Sequence, residues 1–137
     1  MARDIFHNHV KEALIKDGWL ITEDPFLLKT KFISYEIDLA AEKLIAATRA
    51  NEEILVEIKS FLRQSKAYEM HAALGQFQTY LLGIQELGIN KQLFLAIPEA
   101  VYDDFFQQPF IQKLIAHYQV NLIVFNPIKK EIVQWIE

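Results

Sequence analysis

Apolar positions recur along this chain with two different periods, and each change of period marks a change of element. Over residues 4–16, Ile5, Phe6, His9, Val10, Ala13 and Leu14 stand at helical spacing. Asp4 can cap that helix, and Asp17-Gly18 can end it. Trp19-Leu20-Ile21 reads as a short strand, and Asp24-Pro25 as a turn. Extended segments follow over 26–32, 35–40, 44–48 and 54–61, with a hairpin turn expected at Arg49-Ala50-Asn51-Glu52. Residues 65–87 return to helical spacing, closed by Gly88. A strand is then expected over 92–97. Helices follow from Pro98 to about residue 107 and from Pro109 through His117. Strands over 120–125 and 131–136, separated by the turn Asn126-Pro127, complete the chain. Helix, strands, helix, strand, helix, strand, strand is an α/β order, a mixed sheet flanked by helices.

The run Ile54-Leu55-Val56-Glu57-Ile58-Lys59-Ser60-Phe61 stands out. In a strand, Glu57 and Lys59 project from one face and Ile54, Val56 and Ile58 from the other. A carboxylate and an amine on a mostly apolar strand are costly if buried, unless a salt bridge, a metal ion or a phosphate compensates. Upstream, Tyr35-Glu36-Ile37-Asp38-Leu39 puts a second acid on a second strand-like run.

Size and composition narrow the function classes. The 137 residues suit one domain, 1–137, with a real core. Apolar residues at 52% and charged residues at 23% are ordinary globular values. With no cysteine, disulfides and thiolate metal sites are excluded, and a cytoplasmic location is expected. The start Met1-Ala2-Arg3-Asp4 lacks a signal-peptide core, and no apolar run reaches the ~20 residues of a membrane span. The net charge of −4, from 14 basic and 18 acidic residues, counts against tight unaided DNA binding. Acids clustered around a cation would account for part of it.

Asp38, Glu57 and Lys59 suggest phosphodiester hydrolysis. Two carboxylates can hold one Mg²⁺ (or Mn²⁺) and leave positions for water and a phosphate oxygen. Asp38 and Glu57 would be those ligands, with the Ile58 carbonyl as a third. Lys59 would orient or deprotonate the attacking water and stabilise negative charge. The competing reading is a Glu-Lys pair on the solvated face of a hairpin. Gln76 and Tyr80 add to the pattern, because they lie four apart on one face of the long helix.

Glu57-x-Lys59 followed by Gln76-Phe77-x-x-Tyr80 resembles the RecB-like branch of the PD-(D/E)XK nuclease superfamily. The resemblance implies a restriction-endonuclease-like fold and a glutamine and tyrosine beside the metal that help position DNA. Almost end to end, through Lys16-Asp17-Gly18-Trp19, Ile37-Asp38-Leu39, Glu42-Lys43-Leu44-Ile45-Ala46-Ala47 and Ala73-Leu74-Gly75-Gln76, the chain is similar to the XisH family. That likeness implies a cyanobacterial accessory role in excising a DNA element, beside a site-specific recombinase and a small companion protein, XisI. One departure is the first helix. Where the superfamily often carries an acid, His7 and His9 face inward and Glu12 lies on another face. This leaves a second metal position unsupported. His7 is then either a phosphate or substrate ligand or a capped, partly exposed helix histidine. Arg63, Lys66 and Lys29 could meet phosphates or be plain surface charges.

Three structural expectations follow. Asp38 and Glu57 should lie on adjacent antiparallel strands, their carboxylates close. A plain hairpin turning near Asn51 would overshoot, so a bulge is expected around Ala41-Glu42-Lys43. Tyr102, Phe105, Phe106, Phe110 and Ile111 are too many for the core of a domain this small, so some are expected to form a homodimer contact or a docking patch for the companion. Two functions remain open, a metal-dependent endonuclease and a catalytically silent nuclease-fold binding module.

Overall fold

A computed structural model describes residues 3–31, 33–45 and 50–137, with 44, 45, 50 and 51 described by their backbone alone. Expectations placed on Met1, Ala2, Phe32, Ala46, Ala47, Thr48 and Arg49 lie outside the described residues. The elements run α1 (His7–Lys16), β1 (Leu20–Glu23), β2 (Phe26–Lys29), β3 (Ser34–Ile37), β4 (Leu39–Ile45), β5 (Ala50–Ile58) and α2 (Lys66–Glu86). They continue with β6 (Gln92–Pro98), α3 (Glu99–Asp103), a 3-10 turn (Phe105–Gln107), α4 (Pro109–His117), β7 (Leu122–Asn126) and β8 (Glu131–Ile136).

Six strands form one mixed sheet in the order β1-β4-β5-β6-β7-β8, while β2 and β3 pair separately. β5, β6 and β7 are parallel neighbours, and the outer pairings are antiparallel. Parallel neighbours need long crossovers, and α2 and then α3 with α4 supply them. The inner strands are accordingly buried on both faces, as in Leu93-Phe94-Leu95-Ala96-Ile97. One face packs α1 through Val10 and Leu14 against Ile54, Val56, Ile58, Phe94 and Ile123. The other packs α2 through Met70, Phe77 and Ile84 against Leu55, Leu93, Leu95 and Val124. The two-residue period of β5 therefore sends Ile54, Val56 and Ile58 toward α1, and Leu55 and Glu57 toward α2.

Several local expectations need correction. Ala50, Asn51 and Glu52 are not turn residues but the start of β5, paired with Ile45, Leu44 and Lys43. The register then runs unshifted to Leu39↔Val56, with no bulge at Ala41–Lys43. An earlier-starting β5 removes the overshoot that called for one. Pro98 ends β6 and is at the same time the N-cap of the helix that follows, but that helix breaks at Asp104 before the 3-10 turn instead of running on to about residue 107. Asp4 does not cap α1, which begins at His7 without a side-chain cap. Phe105, Phe106 and Ile111 do fit the core, with Phe106 wedged edge-on against Phe61. Tyr102 is half-buried, and Phe110 alone of that group stays 69% exposed.

Candidate functional site

The site starts with a bend. At Asp38 the chain leaves the β2–β3 ribbon and enters β4, whose first pair is Leu39↔Val56. Asp38 therefore comes opposite Glu57, just beyond the last paired residues. Its Oδ2 accepts the Ile58 N–H at 2.7 Å, and its own N–H donates to Glu57 Oε1 at 3.3 Å. Each acid thus binds the other's strand, fixing two carboxyl groups side by side. The Lys59 N–H donates to the Ala96 carbonyl on β6. Across a planar trans peptide, the Ile58 carbonyl then points the opposite way, to the Asp38 side.

A cavity of about 720 Å³ opens over this pair, between β5, the β2–β3 ribbon and the first half of α2. Asp38, Glu57, Ile58, Lys59, Gln76, Tyr80, His7 and Arg63 all line it. The fold thus brings these eight residues to one cavity. Lys66 and Lys29 do not line the cavity. His9 packs edge-on against Phe6, and Glu12 turns away to pair with Lys130 at 3.4 Å.

The electrostatics are those of an under-compensated acid pair. Glu57 is only 7% exposed. Burial first, and then the Asp38 charge, push its carboxyl up to about 8, against the pull of Lys59, whose Nζ lies 3.7 Å from Oε2. Burial also raises Asp38, against the Ile58 N–H, which holds it down. Tyr80 is raised above the usual phenol range by burial and by the Glu57 and Asp38 charges, so it remains a hydroxyl donor. Gln76 Oε1 is buried with no hydrogen-bond partner.

His7 is not the partly exposed helix histidine of the alternative reading; it is 3% exposed. Its Nε2 lies 2.7 Å from Asp24 Oδ1, and its Nδ1 faces Asp38 Oδ1 at 3.9 Å without a hydrogen bond. Burial raises the Asp24 carboxyl, but Lys11 at 2.8 Å and His7 outweigh it and hold the group below its ordinary value. An ionised Asp24 only accepts, which makes His7 Nε2 the donor and leaves Nδ1 free toward the cavity.

A family model described as XisH protein matches residues 1–133. The chain belongs to the XisH family. Two crystal structures resemble it with a TM-score of 0.88 each, and it covers 98% of this chain and 100% of theirs in both cases. One is an XisH family protein from Nostoc punctiforme PCC 73102, 39% identical. The other, 40% identical, is a fdxN element excision controlling factor protein from Anabaena variabilis. No curated protein matches the chain.

In this XisH family chain the residues that sequence reasoning missed are supporting ones. Asp24 read only as part of a turn, yet it gathers His7, Lys11 and Arg3. Asp4, read as a cap, accepts the Phe6 N–H at 2.9 Å and the Ser60 N–H at 3.0 Å, tying the chain start to the end of β5. The link from Asp24 to His7 and the tether from Asp4 to Ser60 have no local signal, because these partners are remote in sequence. Chemically, the Asp38 and Glu57 carboxyls and the Ile58 carbonyl are an all-oxygen donor set of the kind Mg²⁺ takes. It is an open set: among the described residues no three His, Asp or Glu side chains form a group that could hold a metal ion.

Proposed function

We propose that this protein is a metal-dependent endonuclease of restriction-endonuclease-like fold with a PD-(D/E)XK site, acting as an accessory factor in excision of a DNA element. The observation that carries this reading is the convergence of the buried Glu57 carboxyl and the half-buried Asp38 carboxyl with too little positive charge around them. Uncompensated buried acids favour a cation, and two carboxyls plus a carbonyl leave room for water and a substrate phosphate. Asp38, Glu57 and the Ile58 carbonyl would hold Mg²⁺ or Mn²⁺. Bound there, the cation would supply a polarised phosphate oxygen and a more acidic water.

The remaining roles belong to the chain's own side chains. Lys59 sets an ammonium beside the acids, where it orients water and meets the charge that builds on phosphorus. The Tyr80 hydroxyl donates a hydrogen bond toward a phosphate oxygen. The Gln76 amide, with its oxygen unpartnered, helps position the scissile strand. His7 Nδ1, without a hydrogen bond in the fold, makes one to the substrate or its water. Arg63, exposed at the cavity mouth, meets flanking phosphates. The name of the Anabaena relative, an fdxN element excision controlling factor, supports a role in excision of a DNA element. A recombinase and an XisI-like companion as partners rest on the family resemblance alone.

A second reading is a catalytically silent module that regulates a recombinase or pairs with the companion. The net charge of −4 and the lack of a three-sided ligand group among the described residues favour it. The deciding experiment incubates supercoiled and branched DNA with Mg²⁺ or Mn²⁺ beside a Glu57→Ala control. Cleavage lost in the variant supports the nuclease. Intact DNA with the wild-type protein under both metals leaves the silent module.

A further inference from the structure

α2 carries two faces with different chemistry. The face with Glu69, Gln76 and Tyr80 lines the acid cavity. The face with Ala67, His71, Leu74 and Gln78 looks away from it and lines a second groove, of about 570 Å³, shared with α4 and the 3-10 turn. Gln78 Nε2 donates to the Tyr118 carbonyl at 3.1 Å and closes one end of this groove. Its floor is Met70, Phe105 and Ile111, all buried, and Phe110 stands beside it in solvent.

The distinctive property of this surface is its lack of charge. None of the twelve residues lining the groove is Asp, Glu, Lys or Arg. From 70 to 85, sixteen residues of α2 pass without a charged side chain, and Lys113 is the one in α4. Solvent-facing helix surfaces ordinarily carry charges. Here the exposed positions include Leu82, Phe110 and Tyr118. Missing charges together with exposed aromatics are the composition of an interface core.

We infer that this face is a two-fold contact between two copies of the chain. In such an isologous interface the same patch meets itself, so charges near the axis would face like charges. A chain of net charge −4 repels its own copy, and a charge-free face adds nothing to that repulsion where the copies meet. A heterologous partner has no such requirement. The shape also suits self-association, since Phe110 is a knob beside an apolar groove that Phe110 of the other copy can enter. Nothing lies within 4 Å of a Cβ built on Gly75, which leaves space for close approach. The strip is roughly 25 Å long by roughly two helix diameters, about 500 Å² in projection and more as accessible area. That is within reach of the ~800 Å² per partner of a standard interface.

Sedimentation velocity of the full chain tests this. The wild-type protein should sediment as a dimer, at twice 16.0 kDa, in the micromolar range. Phe110→Glu and Gly75→Arg each put a charge at an exposed position on the face, and each should shift the species to monomer. Far-UV circular dichroism and the melting midpoint of the diluted monomer should stay at wild-type values, showing that the fold is kept. A wild-type monomer up to high-micromolar concentration overturns the inference. So does a dimer that survives both substitutions. The result is independent of any metal or DNA chemistry at the acid cavity.

Discussion

Glu57 is the residue on which the site's electrostatics turn. Its carboxyl is pushed from 4.5 to about 8 by burial and by Asp38. Between those values the folded protein holds a proton that the unfolded chain has lost. The stabilisation from protonated Glu57 is complete below about 4.5 and is lost as pH rises through about 8. Metal-free protein should therefore lose stability across this window, by at most about 1.4 kcal/mol per pH unit from this group. Glu57→Gln should flatten that part of the profile and leave the variant the more stable form above it. Thermal melts of both proteins across the window measure the difference, and parallel profiles would refute the assignment. Lys59 separates binding from chemistry. Lys59→Ala should retain the metal-induced rise in melting temperature and lose any cleavage, whereas Glu57→Ala should lose both.

Among the elements, the β2–β3 ribbon depends on one close approach. Leu28 of β2 is fully buried, and a Cβ built on Gly83 of α2 would lie 2.8 Å from its Cδ2. The ribbon supplies Pro25 and Glu36 to the cavity wall and leads into Asp38, so this packing also supports the site. Gly83→Val should cost about 1–3 kcal/mol by overpacking. Leu28→Ala should cost about 2–5 kcal/mol by leaving a cavity. Combined, the two should cost less than their sum, since each makes room for the other. Urea unfolding of the four proteins tests this, and strict additivity would mean that the residues do not share a packing constraint.

For the whole molecule, the proposed function makes stability respond to metal. A cation that binds the folded acid pair and not the unfolded chain stabilises by mass action and relieves the repulsion between Asp38 and Glu57. Because binding requires the deprotonated pair, the effect should grow as pH rises toward and past about 8. Millimolar Mg²⁺ or Mn²⁺ should raise the melting temperature, and a chelator should reverse the rise. No response to either metal, even with DNA present, would favour the silent module. Among the described residues no helix is long and apolar enough to cross a membrane.

Much of this protein was legible along the chain because its signals are local. Helical spacing in 65–87 with Ser65 and Gly88 at its ends, and the two-residue period through Glu57, depend only on neighbours; the first matches α2 closely, and the second puts Glu57 on a strand that runs Ala50–Ile58 instead of 54–61. The site residues were legible for the same reason: Glu57 and Lys59 share a strand face, and Gln76 and Tyr80 share a helix face. The pairing register was not. Where β5 begins decides whether Asp38 meets Glu57, and that is set by cross-strand pairing with β4, which the spacing of residues within either strand does not encode. The burial of His7 against Asp24, the tether from Asp4 to Ser60 and the fit of Phe105, Phe106 and Ile111 into the core are likewise contacts between remote segments. The sequence by itself determined which elements form and which side chains share a face. The tertiary structure decided which faces meet, because burial and close packing act between elements that no local pattern can align.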